Sequence, residues 1–256
     1  MEQPSPPVLR MYAPADYPGC PATVDLAIAQ GRALRAPRWG IVDFLISLLG
    51  FVLLSIPIVL LAEAVGLPLG ATVLLGTIVP WVALGGWPLI TTWFQGNGPR
   101  IDLGLRLTWR DLGWGLLGGI AALVAGGTIA VGLQALFPDL NSAAAEVGEE
   151  LQAGSPFVVL ALFALCVGIG APIVEELAFR GLGYNALRKR GLSTGWVIVI
   201  TTVAFSLFHL EPTRIPILLA SGAILGILRW RTRGLGAPIV AHAVNNLLGA
   251  AFLLLG

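Results

Sequence analysis

An all-α bundle of membrane-spanning helices is the fold class this sequence predicts, and three observations predict it. Hydrophobic residues make up 56% of the 256 positions and charged residues only 11%, with mean hydropathy +0.86. A soluble domain carries about 25% charged residues, so the surface of this chain is too poor in charge to face water throughout. The apolar residues come in runs near the ~20 residues that a helix needs to cross the hydrocarbon core. The basic residues gather in alternate loops.

About seven spans are expected, over residues 41–62, 69–94, 112–137, 157–188, 194–210, 215–230 and 237–255. Arg10, Arg32, Arg35 and Arg38 precede the first span. Arg100, Arg106 and Arg110 lie between the second and third, Arg188, Lys189 and Arg190 after the fourth, and Arg229, Arg231 and Arg233 after the sixth. The opposite loops are neutral or acidic, with Arg214 their one basic residue. The positive-inside rule then implies an integral protein of the cell (plasma) membrane with a cytoplasmic N-terminus and an external C-terminus. Trp39, Trp93, Trp109, Trp196 and Trp230 fall near cytoplasmic span ends, where interfacial anchors belong.

Residues 1–40 read as a polar, proline-containing cytoplasmic tail with no signal-peptide core, and residues 41–256 as the transmembrane domain. Short interfacial helices are expected over 24–35 and 141–152. The pairs Gly115–Gly119 and Gly222–Gly226 have the spacing that lets helices approach closely. A net charge of +1 gives no sign of a nucleic-acid partner. Cys20 and Cys166 cannot make a disulfide framework.

Ionisable groups inside spans are costly and mark function. Asp43 and Glu63 sit at the ends of the first span, within reach of water. The anomalies are Glu175, Glu176 and Arg180 in the fourth span, His209 ending the fifth and His242 in the seventh. Counted from the basic end at ~1.5 Å per residue, Glu175 and His209 each lie roughly 21 Å deep and His242 roughly 9 Å, before any tilt. Three helices can therefore bring Glu175, His209 and His242 together inside the bilayer, provided the fourth helix continues through Gly181 and Gly183. Glu176 and Arg180, four residues apart, can pair on one helix face. Glu175 is left without an intrahelical partner, which makes it a candidate general base for water. His242 and Asn246 share a face. They read either as oxyanion donors or as an interhelical hydrogen bond. Phe205 lies one turn before His209 and can pack beside its imidazole.

Taken in order, Glu175-Glu176-Leu-Ala-Phe-Arg180, Phe205-Ser-Leu-Phe-His209 and His242-Ala-Val-Asn-Asn246 resemble the motifs of the CPBP (CAAX protease and bacteriocin-processing, Abi) family. The small-residue run Ser221-Gly-Ala-Ile-Leu-Gly226, followed by Arg229, is similar to the helix between them. The resemblance covers roughly residues 157–250. It implies an intramembrane endopeptidase whose attacking water is activated by Glu175 with His209, whose oxyanion is stabilised by His242 and Asn246, and whose helix is held by Glu176 and Arg180. Its substrate would be a peptide or protein, prenylated in the eukaryotic branch, and membrane lipid its surroundings. Glu175, His209 and His242 would also make a His2Glu set suited to catalytic Zn2+, although neither histidine lies in a His-Glu-x-x-His motif; a metal-free mechanism fits the same residues. Two other classes of function compete: a catalytically silent immunity or binding protein, and a proton-coupled transporter. The chain lacks the paired interrupted helices that mark many carriers.

Overall fold

The computed structural model describes residues 17–139 and 141–255; the prolines Pro4, Pro6, Pro7 and Pro14 of the expected tail lie outside them. All regular structure among the described residues is helical. A short helix α1 (Pro21–Ala29) precedes α2 (Ile41–Ala64), α3 (Leu69–Gln95) and a one-turn α4 (Pro99–Asp102). Then come α5 (Trp109–Leu136), α6 (Ala143–Gly154), α7 (Phe157–Lys189), α8 (Thr194–Phe208), α9 (Ile215–Thr232) and α10 (Gly236–Leu255). Among the described residues six helices are long and apolar enough to cross a membrane: α2, α3, α5, α7, α9 with its leading turn, and α10. The seventh apolar helix, α8, has 15 residues. At ~1.5 Å per residue it is about 22 Å long and falls short of the ~30 Å hydrocarbon core. The expected short helices form at Pro21–Ala29 and Ala143–Gly154, each shifted by a few residues.

Glycine contacts set the spacing of the bundle. A Cβ on Gly115 or Gly119 of α5 would lie 2.5 Å from Val240 or Val244 of α10, so the two helices close to backbone distance. Gly222 and Gly226 of α9 do the same against Thr202 and Ile198 of α8. Both pairs therefore pack helices, as their spacing implies.

The basic ends of the helices share one end of the bundle, and there residues 17–40 are folded onto it. Trp39 is fully buried, not an interfacial anchor, because its indole N–H donates to Asp102 Oδ2 at 2.8 Å. Trp93, Trp109, Trp196 and Trp230 are exposed as anchors should be. Asp102 also accepts from the Asn97 backbone N–H at 2.8 Å and from the Tyr17 hydroxyl. Lys189 Nζ donates to the carbonyls of Pro37 and Trp39 at 2.7 and 2.6 Å. Asp43, near the start of α2, is buried. It accepts from the Gly40 N–H at 2.9 Å and from Thr91 of α3 at 2.8 Å, so it caps one helix and ties it to the next.

At the opposite end, Glu211 caps α6: its carboxylate accepts from the Ala144 N–H at 2.7 Å and from Ser142 Oγ at 3.0 Å. Gln152, near the other end of α6, donates to the Phe252 and Leu253 carbonyls at 3.0 Å each. The helix is thus pinned to the loop after α8 and to the end of α10.

Burial, then the neighbouring Asp102 charge, pushes the Tyr17 phenol above its ordinary value of 10.0. The folded state holds that proton more tightly than the unfolded chain, so the stability it contributes is full below about pH 10 and is lost as pH rises further. Tyr17→Phe should therefore flatten the alkaline limb of a detergent melting-temperature profile. Asp102→Ala, which strands three donors, should cost about 3 kcal/mol at neutral pH in the same measurement.

Candidate active site

Helix α7 carries the site. It runs unbroken from Phe157 to Lys189 through two π-helical turns, Cys166–Gly170 and Leu177–Gly183. Continuity through Gly181 and Gly183 is thus met, by a wider turn. Each π turn inserts one extra residue per cycle and re-aims the side chains beyond it, a distortion that concentrates at functional sites. The first leaves the Val167 carbonyl accepting from Asn246 Nδ2 of α10 at 3.1 Å. The second begins directly after Glu176 and contains Arg180. A third π turn, Val82–Gly86 in α3, faces α7. There Gly85 lets Val174 approach to what would be 3.0 Å from a Cβ, and the buried Ser47 hydroxyl of α2 donates to the Leu84 carbonyl at 2.9 Å.

At the centre, Arg180 Nη1 meets Glu176 Oε1 at 2.9 Å, and both side chains are fully buried. The guanidinium also donates to the Gly222 carbonyl of α9 at 3.0 Å and lies over the Phe205 ring of α8, 4.4 Å from its centroid. Phe205 in turn makes edge contacts with the His209 and His242 rings at centroid distances of 4.7 and 5.6 Å. One cation and one aromatic ring therefore lock four helices, α7 to α10, around the two histidines.

The hydrogen-bond partners decide how each imidazole is protonated. His209 Nδ1 lies 2.8 Å from the Phe205 carbonyl oxygen, which can only accept. His242 Nδ1 lies 3.1 Å from Glu176 Oε1, already engaged by Arg180. In both neutral rings Nδ1 must therefore carry the proton, and Nε2 presents a lone pair. Both lone pairs approach the same atom: Glu175 Oε2 lies 3.9 Å from His209 Nε2 and 3.8 Å from His242 Nε2. That oxygen is buried and has no hydrogen-bond donor. Three acceptors converge with no proton between them, and a buried polar atom in that state calls for a ligand. The exposed edge of the cluster is at His209, 24% accessible against 5% for His242. Helix α8 stops there because Leu210 takes a left-handed backbone, φ 53°, with Pro212 two residues on.

Glu175, His209 and His242 are therefore brought together, with Glu176, Arg180 and Phe205 directly behind them. Asn246 makes an interhelical bond to Val167, and its side-chain oxygen accepts from Asn245 at 3.2 Å. Glu176 does more than its spacing to Arg180 implies, since it also sets the His242 tautomer. The sequence holds a clue to this: a buried imidazole needs an acceptor, and the only carboxylates near its depth are Glu175 and Glu176. Glu211, which fastens the loop after His209, leaves no such clue because Ser142 and the Ala144 N–H that it accepts from are 69 and 67 residues away in sequence.

The spacing of the donor atoms bears on zinc. At bonds of ~2.0–2.2 Å, tetrahedral ligand atoms lie about 3.3–3.6 Å apart. The spacings of 3.8 and 3.9 Å are wider. The residues stand a few tenths of an ångström farther apart than bound zinc would hold them. They suit a water, whose hydrogen bonds of about 2.8 Å to two acceptors so spaced would subtend an angle near 90°.

Residues 157–248 match the family model described as type II CAAX prenyl endopeptidase Rce1-like, which supports the CPBP family of membrane proteases. An uncharacterized 24.3 kDa protein of Escherichia coli is 34% identical over 101 residues, covering 38% of this chain and 46% of that protein. The chain thus spans less than half the length of the curated relative it matches. No solved structure matches the chain.

Removing one partner of a fully buried ion pair should be costly. Arg180→Met should destabilise the protein by about 3–5 kcal/mol, because it leaves the buried Glu176 carboxyl without its cation. Adding Glu176→Gln should restore part of that loss in a chemical unfolding series. A double variant as unstable as the sum of the two single variants would mean that the pair does not act as a unit.

Proposed function

We propose that this chain, whose residues 157–248 resemble a CAAX-type intramembrane protease, hydrolyses a peptide bond with a water activated by Glu175. The observation that carries the reading is the orphaned Glu175 Oε2 facing two histidine lone pairs.

The steps follow from the acceptors. Water bound among them donates one proton toward Glu175 and the other toward a histidine Nε2, leaving an oxygen lone pair for a carbonyl carbon. As the new C–O bond forms, Glu175 takes the water proton and the carbonyl oxygen becomes an oxyanion. A proton then passes to the amide nitrogen, the C–N bond breaks, and an amine and a carboxylic acid leave. Glu175 can pass the water proton it has taken to His242 Nε2, 3.8 Å away, which then donates to the oxyanion before that proton moves to the amide nitrogen. Asn246 has two amide protons and spends one on Val167, so its second is available for the same purpose. The Arg180–Glu176 pair holds the His242 ring in register throughout.

The substrate class is a peptide or protein that reaches the membrane, with the basic end of the bundle cytoplasmic by its arginine loops. Whether a prenyl chain is required is decided by the substrate panel. Detergent-purified wild type should cleave a prenylated or unprenylated quenched peptide. Glu175→Gln should cut kcat by at least about 10²-fold, as should His209→Ala, in line with removing a general base. A Glu175→Gln enzyme as fast as wild type would refute the reading. Separately, a zinc chelator should leave the rate unchanged; loss of activity that added zinc restores would overturn the metal-free mechanism.

A further inference from the structure

A cavity lies at the basic end, away from the glutamate and histidine cluster. It has a volume of about 490 Å³, within the usual range for small-ligand sites. Arg188, Lys189, Arg229 and Arg233 line it with Tyr184 and Trp230, and no aspartate or glutamate does. Arg233 is paired, to Asp25 at 2.8 Å. The other three have no carboxylate within 4.0 Å among the described residues. Arg188 donates to the Leu192 carbonyl at 2.6 Å, and Lys189 to the carbonyls of Pro37 and Trp39.

Arg229 is the unusual member. Only 1% of it is exposed, yet its partners are all neutral. Nε donates to the Arg180 carbonyl at 3.0 Å and Nη2 to Asn185 Oδ1 at 2.9 Å, and the guanidinium lies 4.6 Å from the Tyr184 ring centroid. A guanidinium withdrawn from water without a counterion is costly, and an anion in the adjoining cavity would offset that cost. Guanidinium groups match the oxygens of a phosphate in two-pronged hydrogen bonds, which a lone lysine cannot do. Trp230, half-exposed at this end, marks the level of a membrane headgroup layer.

We infer that this cavity binds a phosphate group between Arg188 and Arg229. Two sources share that chemistry: the headgroup of an anionic phospholipid and a soluble phosphate. With four basic side chains and no carboxylate in the lining, the cavity favours a headgroup of net negative charge, so a phosphatidylglycerol-type lipid is favoured over phosphatidylcholine. Basic clusters beside membrane spans attract anionic lipids generally; here the buried Arg229 adds a fixed contact.

The test uses the full chain in detergent, by native mass spectrometry with phosphatidylglycerol or phosphatidylcholine added, and by tryptophan fluorescence with inorganic phosphate. Wild type should retain phosphatidylglycerol at least tenfold better than phosphatidylcholine. Arg188→Gln, a change at an exposed side chain, should reduce that retention at least fivefold, and Arg229→Gln more. If inorganic phosphate saturates the fluorescence change in an Arg188-dependent way and the lipid preference is missing, the occupant is a soluble phosphate. If neither probe depends on Arg188, the inference is overturned. Arg188→Gln decides the matter even if Arg229→Gln does not fold. The readout is binding alone, so it stands or falls apart from peptide cleavage.

Discussion

The arrangement depends on one charge pair placed where water does not reach. Arg180 and Glu176 are both fully buried. A buried pair repays the loss of hydration only when its remaining donors and acceptors are used. Here Nη1, Nη2 and Oε1 are used, and they join helices, while Arg180 Nε and Glu176 Oε2 stay buried without a hydrogen-bond partner. The guanidinium reaches the Gly222 carbonyl on α9 and the Phe205 face on α8, and the carboxylate reaches the His242 ring on α10. Remove that pair, and the His242 ring loses the acceptor that sets its rotation, while the Phe205 ring that both imidazoles pack against loses its cation.

The backbone makes room for this. Gly222 has no side chain, so Arg180 Nη2 can come within 3.3 Å of where a Cβ would stand. The π turn at Leu177–Gly183 places the Glu175–Glu176 step at the junction of two helical geometries. One carboxylate faces the ion pair and its neighbour the histidines. Deviations from regular helix inside a membrane need their freed carbonyls satisfied. Ser47 does so at Leu84, and Asn246 does so at Val167. Asn246 therefore sits at a structural joint beside the cluster, which bears on both readings its spacing to His242 allows.

Much of this is legible in the sequence, for identifiable reasons. Helix ends in a membrane protein are marked by charge and proline, so the runs between the arginine clusters agree with the helices to within a few residues. Depth counted along helices puts Glu175 and His209 at one level, and the i, i+4 spacing announces the Glu176–Arg180 pair. The illegible parts depend on contacts between distant segments. Trp39 has the position of an interfacial anchor, and only the Asp102 carboxylate 63 residues away makes it a buried donor. Helix α8 is shorter than its apolar run because Leu210 is as apolar as the helix it ends; the left-handed turn that stops it leaves no signature in hydropathy. The second role of Glu176 needs the fold to bring α10 against α7.

The central claim is that both histidines are held with the proton on Nδ1, so that two Nε2 lone pairs face Glu175. The chain contains only these two histidines, so nitrogen-15 labelling at histidine and magnetic resonance of the membrane-reconstituted protein would report each ring separately. Both rings should show the Nδ1–H tautomer, with Nε2 free to accept. A proton on Nε2 in place of Nδ1 in either ring would contradict this.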